Sequence, residues 1–320
     1  MKITILYNTI DPQKETNHEM LPEAGAVEEV TLLAKTLTDC GFDVDVFELD
    51  NDSKNLLANH PTDIFLNDTD GIGDDLKSEA KVPELLDNLG LAHTGSDAKS
   101  LILTTDKVKT KAIFTQLGLQ TPKDHGNLKY PLIVKPTKED SSVGININSV
   151  VNNYSELQKA TKEVLDDFGE QVLVEEYIDG RELNIAVLGN GDKTRTLPIS
   201  EIIFGEYYKD KPKVIDFEAK WAQDSQEYKQ TNGVCPADLP VNVVEELSKQ
   251  SIAIFHACGG RDYGRVDVRL DKNNVPYFLE INLNPDIRPD TGIFRSAKAA
   301  GYDYPGFIKE LIMIASLRYA

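Results

Sequence analysis

The stretch Gly264–Asp286, GRVDVRLDKNNVPYFLEINLNPD, alternates between two kinds of residue on either side of a short polar segment. One set of alternate positions consists of Arg265, Asp267 and Arg269 before that segment and of Phe278, Glu280 and Asn282 after it. The positions between them are Val, Leu or Ile, and a period of two places each set on its own face of a β-strand. Because the polar segment 271–274 consists of turn-forming residues, the sequence predicts an antiparallel hairpin.

The predicted hairpin brings Asp267 opposite or diagonal to Glu280 and Asn282 on a shared face. Three oxygen ligands with Arg265 beside them suit Mg²⁺ that bridges the phosphates of a nucleotide. A polar strand face exposed to water is the alternative interpretation, because single acidic residues are usually solvated. The apolar companion face and the Asn-Leu-Asn-Pro turn that follows favour the metal site.

The composition of the whole chain bounds its class. Its 320 residues, 40% hydrophobic and 27% charged, are enough for two or three packed units of a soluble globular protein. The net charge of −19 argues against general binding to nucleic acid or to an anionic membrane. Three distant cysteines without metal spacing predict a reducing compartment, and the sequence has neither a membrane-spanning run nor a signal-peptide pattern. We therefore expect a cytoplasmic protein with no nucleic-acid or membrane partner.

Residues 1–96 alternate between strand-like and helix-like segments. Strands are predicted at 2–7, 43–48 and 63–67, and helices at 26–40 and 79–89. Short strand–helix–strand connections of this kind imply a parallel sheet. We therefore expect one α/β unit at the start of the chain.

The next part, residues 97–184, carries a lysine at the end of an apolar run. After a predicted helix at 100–118, the strand-like run 131–136 includes Lys135 and leads into a loop with Ser and Gly. Such a loop offers backbone N–H groups, hydroxyls and a cation to phosphate oxygens. The chain has no GxxxxGK[ST] loop and no GxGxxG after its first strand, which disfavours P-loop and Rossmann dinucleotide sites. A flexible surface hairpin is the alternative, but burial of the Lys135 ammonium requires a partner.

Two acidic residues flank a predicted linker farther along the chain. A strand at 171–176 contains Glu175, and Glu182 follows the linker. Their carboxylates suit adenine and ribose, with solvated surface as the alternative for each. A strand at 195–203 precedes a long polar segment, 204–234, which we interpret as a lid or as disorder. Helices are predicted at 241–258 and 303–317.

Five fragments of the chain together resemble the ATP-grasp superfamily, and within it the D-alanine–D-alanine ligase-like proteins with an NPNPD-type ending. In chain order they are HTGSDAKSLILTTDKVKTK, YPLIVKPTKEDSSVGI, LVEEYIDGRELNIAVLG, DFEAKW with CPADL, and RVDVRLD with YFLEINLNPD. The resemblance covers most of the chain from about Ala92 onward. It implies a fold that is α/β plus α+β: a Rossmann-like N-terminal domain (1–96) and a two-lobed ATP-grasp fold. The central lobe would span 97–184, and the C-terminal lobe, with the metal site and the lid, 185–320.

The resemblance also implies a role for each matching residue. The residues that would bind ATP are Lys107 and Lys135 at the α- and β-phosphates, Ser141 and Gly144 in the loop over the phosphates, and Glu175, Glu176, Tyr177, Ile178 and Glu182 around adenine and ribose. The residues that would take part in catalysis are Arg265, Lys220 and Ser142. Those that would bind two Mg²⁺ ions, or Mn²⁺ instead, are Asp267, Glu280 and Asn282.

The reaction implied is the ATP-dependent joining of a carboxylate to an amine. A carboxylate is a poor electrophile, so the γ-phosphoryl group is first transferred to it, with Lys220 and Mg²⁺ stabilising the developing charge. The amine then attacks the acyl phosphate, and Arg265 meets the oxyanion. An acyl phosphate hydrolyses in water, so we expect residues 138–144 and 206–232 to close over it.

The donor end of the amino-acid pocket departs from the family pattern. The glutamate that receives the donor's amine in D-alanine–D-alanine ligases has no match, and Glu15, Glu19 and Glu23 all remain candidates for it. Trp221 stands where those enzymes carry Tyr, which removes a hydroxyl from the donor side.

The acceptor end departs from the pattern as well. Asp286 stands where the family has Gly, which places a carboxylate beside the reaction centre, and Thr291 stands where a Ser holds the acceptor's carboxylate. Gly292 replaces a bulky residue and suggests room for a larger acceptor.

We therefore expect a ligase that forms an amide or dipeptide bond and releases ADP and phosphate. The alternatives are an authentic D-alanine–D-alanine ligase of cell-wall synthesis, a ligase that joins an amino acid to a non-peptide metabolite, and a catalytically silent nucleotide-binding regulator. The regulator would require a damaged phosphate or metal site, and the matching residues are intact. The expected partners are a small-molecule carboxylate and an amine, and the family likeness implies a homodimer.

Overall fold

A computed structural model of the protein describes residues 1–9, 26–139, 142–169, 172–222 and 224–320. Four candidates from the sequence, Glu15, Glu19, Glu23 and Ser141, lie outside the described residues. The β-strands are, in chain order, β1 (Lys2–Tyr7), β2 (Asp43–Glu48), β3 (Ile64–Asn67), β4 (Leu132–Pro136), β5 (Val150–Val151), β6 (Val172–Glu176), β7 (Arg181–Leu188), β8 (Arg195–Thr196), β9 (Ser200–Phe204), β10 (Thr231–Val234), β11 (Tyr263–Leu270) and β12 (Pro276–Asn282). The α-helices are α1 (Ala26–Asp39), α2 (Lys81–Asn88), α3 (Ala98–Thr105), α4 (Lys107–Gln116), α5 (Tyr154–Phe168), α6 (Phe217–Trp221), α7 (Gln226–Lys229), α8 (Val241–Ala257), α9 (Gly292–Ala299) and α10 (Tyr304–Ser316).

The first three strands form a parallel sheet in the order β2-β1-β3. The central strand β1 buries Ile3 and Ile5, and α1 packs Leu33 and Leu37 into the same core. This arrangement confirms the parallel sheet predicted from the alternation of strands and helices, because a parallel pair needs a crossover that a helix provides.

The other strands described in the structure form two antiparallel sheets. The smaller sheet has the order β5-β4-β6, and the larger has the order β10-β9-β7-β11-β12 with β8 beside β7. One parallel sheet and two antiparallel sheets are the α/β plus α+β class that we expected. The division of the chain into domains after residues 96 and 184 remains a proposal.

The N-terminal sheet and the C-terminal helices share one hydrophobic core. Phe307 and Leu311 of α10 are fully buried in the same cluster as Ile3 and Leu33. Full burial of a side chain of this size contributes about 1.5–3 kcal/mol relative to leaving it exposed, so these residues help to hold the two ends of the chain together. Among the described helices, none is both long enough and apolar enough to cross a membrane.

The hairpin of β11 and β12 has the register that the sequence predicts, with Asp267 opposite Glu280 and Arg265 opposite Asn282. The predicted alternation is wrong at Phe278. The ladder shifts after Asp267, where Val268 pairs with Phe278, so that the strand has one extra residue there. Such a β-bulge interrupts the alternation of side chains along β12. Phe278 is therefore buried in the core, and Leu279 lines the cleft.

The single helix predicted at 100–118 is wrong, because the chain forms α3 and α4 with a break at Asp106. That residue has an extended backbone, and its carboxylate accepts a hydrogen bond from the backbone N–H of Lys109 at 3.1 Å. An aspartate in this position caps the start of a new helix. The predicted strand 195–203 is likewise divided into β8 and β9. The segment 204–234 contains α6, α7 and β10, so its described part has regular structure.

Candidate active site

A cleft of about 1310 Å³ lies between the three sheets. Its volume exceeds the 300–1,000 Å³ or so that a single drug-sized ligand requires. The predicted site residues that line it are Lys107, Lys135, Ser142, Glu175, Glu176, Tyr177, Ile178, Glu182, Lys220, Arg265, Asp267, Glu280, Asn282, Asp286 and Thr291. The fold therefore brings side chains from distant parts of the chain into one space.

Lys107 projects into this cleft from the first turn of α4. The residue is buried, its ammonium donates to the carbonyl of Glu139, and its Nζ lies 3.7 Å from Oε2 of Glu280. Its backbone N–H donates to the carbonyl of Thr137 at 3.0 Å, which fixes the helix start against the loop after β4. A buried ammonium needs such partners, and their oxygens hold it at the cleft wall.

Glu175 on β6 accepts from two buried lysines, one at each carboxylate oxygen. Lys135 lies 2.5 Å from Oε1 and Lys111 lies 2.6 Å from Oε2. Lys111 also donates to the hydroxyl of Thr121 at 3.1 Å and to the carbonyl of Pro122. The surface interpretation of Lys135 and Glu175 is therefore wrong for this structure, because both groups are buried and paired.

Sequence reasoning missed Lys111. The feature of the sequence that indicates Lys111 is its spacing of four residues from Lys107, which places both side chains on neighbouring turns of one helix face. The charge partner lies 64 residues away in the chain, so no local pattern indicated it.

The predicted adenine hinge is the linker between β6 and β7. The backbone N–H groups of Glu176 and Tyr177 donate within the protein, to the carbonyls of Lys123 at 2.8 Å and Pro131 at 3.2 Å. The carbonyl of Ile178 accepts from Arg269 at 3.2 Å. These hydrogen bonds hold the linker in place along the cleft.

Glu182 follows the hinge and pairs with Arg269 of β11. The distance from Nη2 of Arg269 to Oε2 of Glu182 is 2.5 Å, and both side chains are buried. Burial acts to lower the pKa of Arg269, but Glu182 raises it and the net shift is upward, so the guanidinium stays charged. The sequence placed Arg269 on the polar strand face but indicated no role for it.

Asp267 is held on two sides, on β11 between β7 and the edge strand β12. The amide of Asn184 donates to Oδ1 at 2.7 Å, and Arg265 donates from Nε to Oδ1 and from Nη2 to Oδ2, each at 2.8 Å. A planar guanidinium paired to both oxygens fixes the carboxylate's orientation as well as its charge.

Glu280 lies opposite Asp267 and faces several cations. Burial acts to raise the pKa of Glu280, but Lys107, Lys135, Lys220 and Arg265 lower it, and the net shift is downward. The carboxylate is therefore ionised at neutral pH. Its partner on the same strand face, Asn282, accepts a hydrogen bond at its side-chain oxygen from the backbone N–H of Asn284 at 2.8 Å.

The oxygen atoms of Asp267, Glu280 and Asn282 form a donor set that suits a divalent metal such as Mg²⁺. Two carboxylates in direct cross-strand register and one carboxamide supply only hard oxygen ligands. Within the ranges that the structure describes, no cluster of three or more His, Cys, Asp or Glu is arranged around one point. The fit thus depends on Asn282 as the third ligand, with the remaining positions left to phosphate and water.

Lys220 reaches the same end of the cleft from α6, in the segment between β9 and β10. Burial lowers the pKa of Lys220, and the nearby Arg265 lowers it further, while Glu280 and Asp267 oppose the shift. Trp221 follows it as the last residue of α6. This segment brings a cation over the carboxylates of the large sheet, as a lid would.

The loop after β4 lies over the opposite wall. Ser142 lines the cleft with a positive φ of 65°, and Gly144 has a φ of 73°. A Cβ at Gly144 would lie 2.7 Å from side-chain atoms of Pro136 and Phe168, so only glycine fits there without displacement.

The substrate end of the cleft holds a charge cluster that the sequence did not predict, apart from Asp286. The Nε of Arg288 donates to Oδ2 of Asp286 at 2.7 Å. The same Nε lies 3.6 Å from Oε2 of Glu29 on α1. Burial and the charges of Asp68 and Asp286 raise the pKa of Glu29 to about 9, although Arg288 opposes the shift. Burial and the charge of Asp286 likewise raise the pKa of Asp68 to about 7. The carboxylate of Asp286 is therefore part of a larger group of mixed charge.

Thr291 lies at the start of α9 beside this cluster. Its hydroxyl donates to the carbonyl of Arg288 at 2.7 Å. A Cβ at the next residue, Gly292, would lie 3.4 Å from the side-chain oxygen of Asn184, which is an ordinary van der Waals contact. The room for a larger acceptor that the sequence suggested stays a prediction.

Comparison with known proteins identifies relatives for most of the chain. Residues 106–313 match the family model for the D-ala D-ala ligase C-terminus. The chain is 34% identical over 247 residues to a D-alanine–D-alanine ligase of Bordetella petrii, with 73% of this chain and 71% of that protein covered. It is 35% identical over 247 residues to an uncharacterised protein of Sinorhizobium fredii, with 74% of this chain and 70% of the relative covered.

The fold has a close counterpart among solved structures. The crystal structure of a D-alanine–D-alanine ligase from Bacillus anthracis complexed with ATP matches it with a TM-score of 0.72, at 21% identity. The match covers 100% of this chain and 98% of that one. It confirms the expected fold, a Rossmann-like N-terminal domain followed by a two-lobed ATP-grasp fold.

Proposed function

The chain belongs to the D-alanine–D-alanine ligase family and is an ATP-grasp ligase, and we propose that it joins a carboxylate to an amine through an acyl phosphate. The observation that carries this proposal is the convergence of Lys107, Lys220 and Arg265 on Glu280 at one end of the cleft. Such a group of fixed charges suits a triphosphate whose terminal phosphoryl group is to be transferred.

ATP would bind along the wall formed by β4, β6 and β11. In this proposal Lys107 and Lys135 hold the α- and β-phosphates, and the loop with Ser142 and Gly144 covers them. Glu175 accepts from the adenine amine, Glu182 accepts from the ribose, and the linker with Ile178 borders the base. Because Lys111 shares the charge of Glu175, Lys135 is left with capacity for phosphate.

Phosphoryl transfer to the carboxylate would take place at Glu280. A divalent metal held by Asp267, Glu280 and Asn282 would supply charge neutralisation at the transferring phosphate, and we propose two Mg²⁺ ions there. Lys220 adds a cation from the lid side, and its lowered pKa reflects the burial that strengthens such contacts.

Amide formation would follow on the side of Arg265. The guanidinium is fixed by both oxygens of Asp267, so it can stabilise the oxyanion that forms when the amine attacks. The segment that carries Lys220 excludes water from the acyl phosphate, whose hydrolysis would waste ATP.

Two kinds of substrate are candidates for the amino-acid pocket. The names of relatives favour D-alanine for both positions. Asp286, which stands where the family pattern has Gly and is paired with Arg288, favours a different carboxylate or amine with its own polar group. A silent regulator is disfavoured because the phosphate-facing lysines and the metal ligands are all retained.

We also propose a cellular compartment and an oligomeric state for the enzyme. The thiols of Cys40, Cys235 and Cys258 are free, which supports a reducing compartment such as the cytoplasm. A homodimer is proposed from the family likeness alone.

The test is ADP release by the purified protein with Mg-ATP and a panel of D- and L-amino acids and dipeptides. Release that requires one acid and one amine would support the ligase and name its substrates. Release with D-alanine alone would support the D-alanine–D-alanine reaction. ATP binding without release in the presence of any pair would contradict the proposal and favour the regulator.

A further inference from the structure

We propose that Arg269 is a positioning residue that fastens the base of the lid to the nucleotide hinge. The lid is defined here as the described residues 205–222 and 224–230, between β9 and β10. Through Arg269, binding of the ribose at Glu182 and closure of the lid over the reacting groups become one event. The inference rests on the proposed function in that Glu182 is taken as the ribose ligand.

The guanidinium of Arg269 joins three separate parts of the chain. Its Nη1 donates to the carbonyl of Ile178 in the hinge at 3.2 Å. Its Nη2 donates to Oε2 of Glu182 at 2.5 Å and to the carbonyl of Lys213 in the lid. A guanidinium has five N–H donors in a rigid plane, so moving one of these partners disturbs the others.

A second contact holds the lid at the same residue. The hydroxyl of Tyr177, in the hinge, accepts from the backbone N–H of Lys213 at 2.8 Å and lies 3.2 Å from its carbonyl. The Arg269 guanidinium lies 5.7 Å from the ring centre of Tyr177 and 5.8 Å from that of Phe204, the residue before the lid. The side chains of Tyr177 and Arg269 thus both bind the backbone of Lys213 and connect the hinge to the lid there.

The tied point is where the lid turns into the cleft. Val214 and Ile215, which follow Lys213, line the cleft, and Val214 is buried. Lys220 lies only seven residues farther along, so the position of Lys213 limits where its ammonium can reach. A change at Arg269 should therefore act on Lys220 although the two side chains belong to different elements.

The ion pair between Glu182 and Arg269 links the proposed ribose site to the lid. Glu182 is buried, and Arg269 is the cation paired with it. Ribose hydroxyls that donate to Glu182 would hold this carboxylate in place, and its fixed position would in turn hold Arg269 and the carbonyl of Lys213. Loss of the ribose would loosen the same connection.

The test is trypsin cleavage of the full-length protein at the exposed lid lysines Lys209 and Lys229, with and without saturating ADP. We expect ADP to slow cleavage of the wild type. Direct binding measurements check that Arg269→Met is saturated with ADP. We expect the ADP-bound variant to be cleaved at least about tenfold faster than the ADP-bound wild type, because hydrogen bonds from a charged group are lost.

Arg181→Met is the matched control. Arg181 also pairs with a glutamate on a neighbouring strand, Glu201 at 2.6 Å, but it lies outside the cleft. Its loss should leave protection by ADP unchanged. If Arg269→Met fails to fold, Tyr177→Phe removes only the hydroxyl at Lys213 and should weaken protection in the same direction.

A second readout separates positioning from general damage. With substrates that turn over, Arg269→Met should release more phosphate per amide formed than the wild type, because an open lid admits water. Arg181→Met should keep the wild-type ratio. If no substrate pair turns over, the proposed function fails while the cleavage experiment still decides the role of Arg269. Unchanged protection by ADP in both folded variants, Arg269→Met and Tyr177→Phe, would overturn the inference.

Discussion

Asp267 and Glu280 lie directly opposite each other on β11 and β12, immediately before a bulge that changes the alternation of β12. The pair brings two carboxylates together where like charges would repel. Arg265 compensates Asp267, and cations from three other elements compensate Glu280. This balance makes the pair suited to a metal and a triphosphate.

Glu280→Gln should abolish turnover while nucleotide binding persists. The substitution keeps the size of the side chain but removes the charge of a proposed metal ligand at the transferring phosphate. We expect kcat to fall by about 10³-fold or more, with a much smaller change in the Kd of ADP. Glu246→Gln, at an exposed glutamate of α8, is the control. Normal turnover in Glu280→Gln would exclude the metal assignment.

Lys220→Met should reduce kcat far more than it raises the KM for ATP. The lysine is proposed to contact the γ-phosphoryl group as charge develops, so its loss should cost about 10²-fold or more in kcat. Lys209→Met, at an exposed lysine of the same lid, should behave like the wild type. Steady-state kinetics with ATP varied checks this, and equal loss in both variants would count against a specific role for Lys220.

Lys111→Met should weaken both the fold and ATP binding. Removing one partner of a buried ion pair typically costs about 3 kcal/mol, and here Lys135 would be left as the cation on Glu175. We expect a lower free energy of unfolding and a higher KM for ATP. Combined with Glu175→Gln in a double-mutant cycle, the coupling should exceed about 1 kcal/mol. Additive effects would show that the two residues do not depend on each other.

Stability should fall as the pH rises from about 4.5 to about 9, because of Glu29. Its pKa is raised from 4.5 to about 9 by burial and by Asp68 and Asp286, so the folded protein keeps a proton that the unfolded chain releases. The slope contributed by one such proton approaches about 1.4 kcal/mol per pH unit. Glu29→Gln should flatten this dependence and be the more stable form at pH about 8.5. Urea unfolding at several pH values checks it, with Glu28→Gln as an exposed control; parallel curves for Glu29→Gln and the wild type would contradict it.

The sequence predicted the parts of the structure that depend on local pattern. The alternation in 264–286 predicts the hairpin and the pairing of Asp267 with Glu280, because turn residues and periodicity together determine register. The family likeness indicated the lysines that are proposed to bind phosphate and the segment that is proposed to be a lid, and the structure places Lys107, Lys135 and Lys220 around one cleft.

The features that the sequence did not predict depend on contacts between distant residues. A bulge leaves no mark in an alternating pattern, so Phe278 was placed on the wrong face. The partners of Lys111 and Arg269 lie 64 and 87 residues away, and their ion pairs follow from the tertiary fold alone. The cluster of Glu29, Asp68 and Arg288 likewise joins α1 with two loops that are distant in the chain.

The proposed acyl phosphate can be detected by following the oxygen atoms of the substrate's carboxylate. The protein is incubated with Mg-ATP, an accepted amine and a carboxylate substrate labelled with ¹⁸O in its carboxyl group, and the released phosphate is analysed by mass spectrometry. We expect one labelled oxygen in the released phosphate, because the γ-phosphoryl group bonds to a carboxylate oxygen that later leaves with it. Unlabelled phosphate alongside amide formation, or label in AMP, would contradict it.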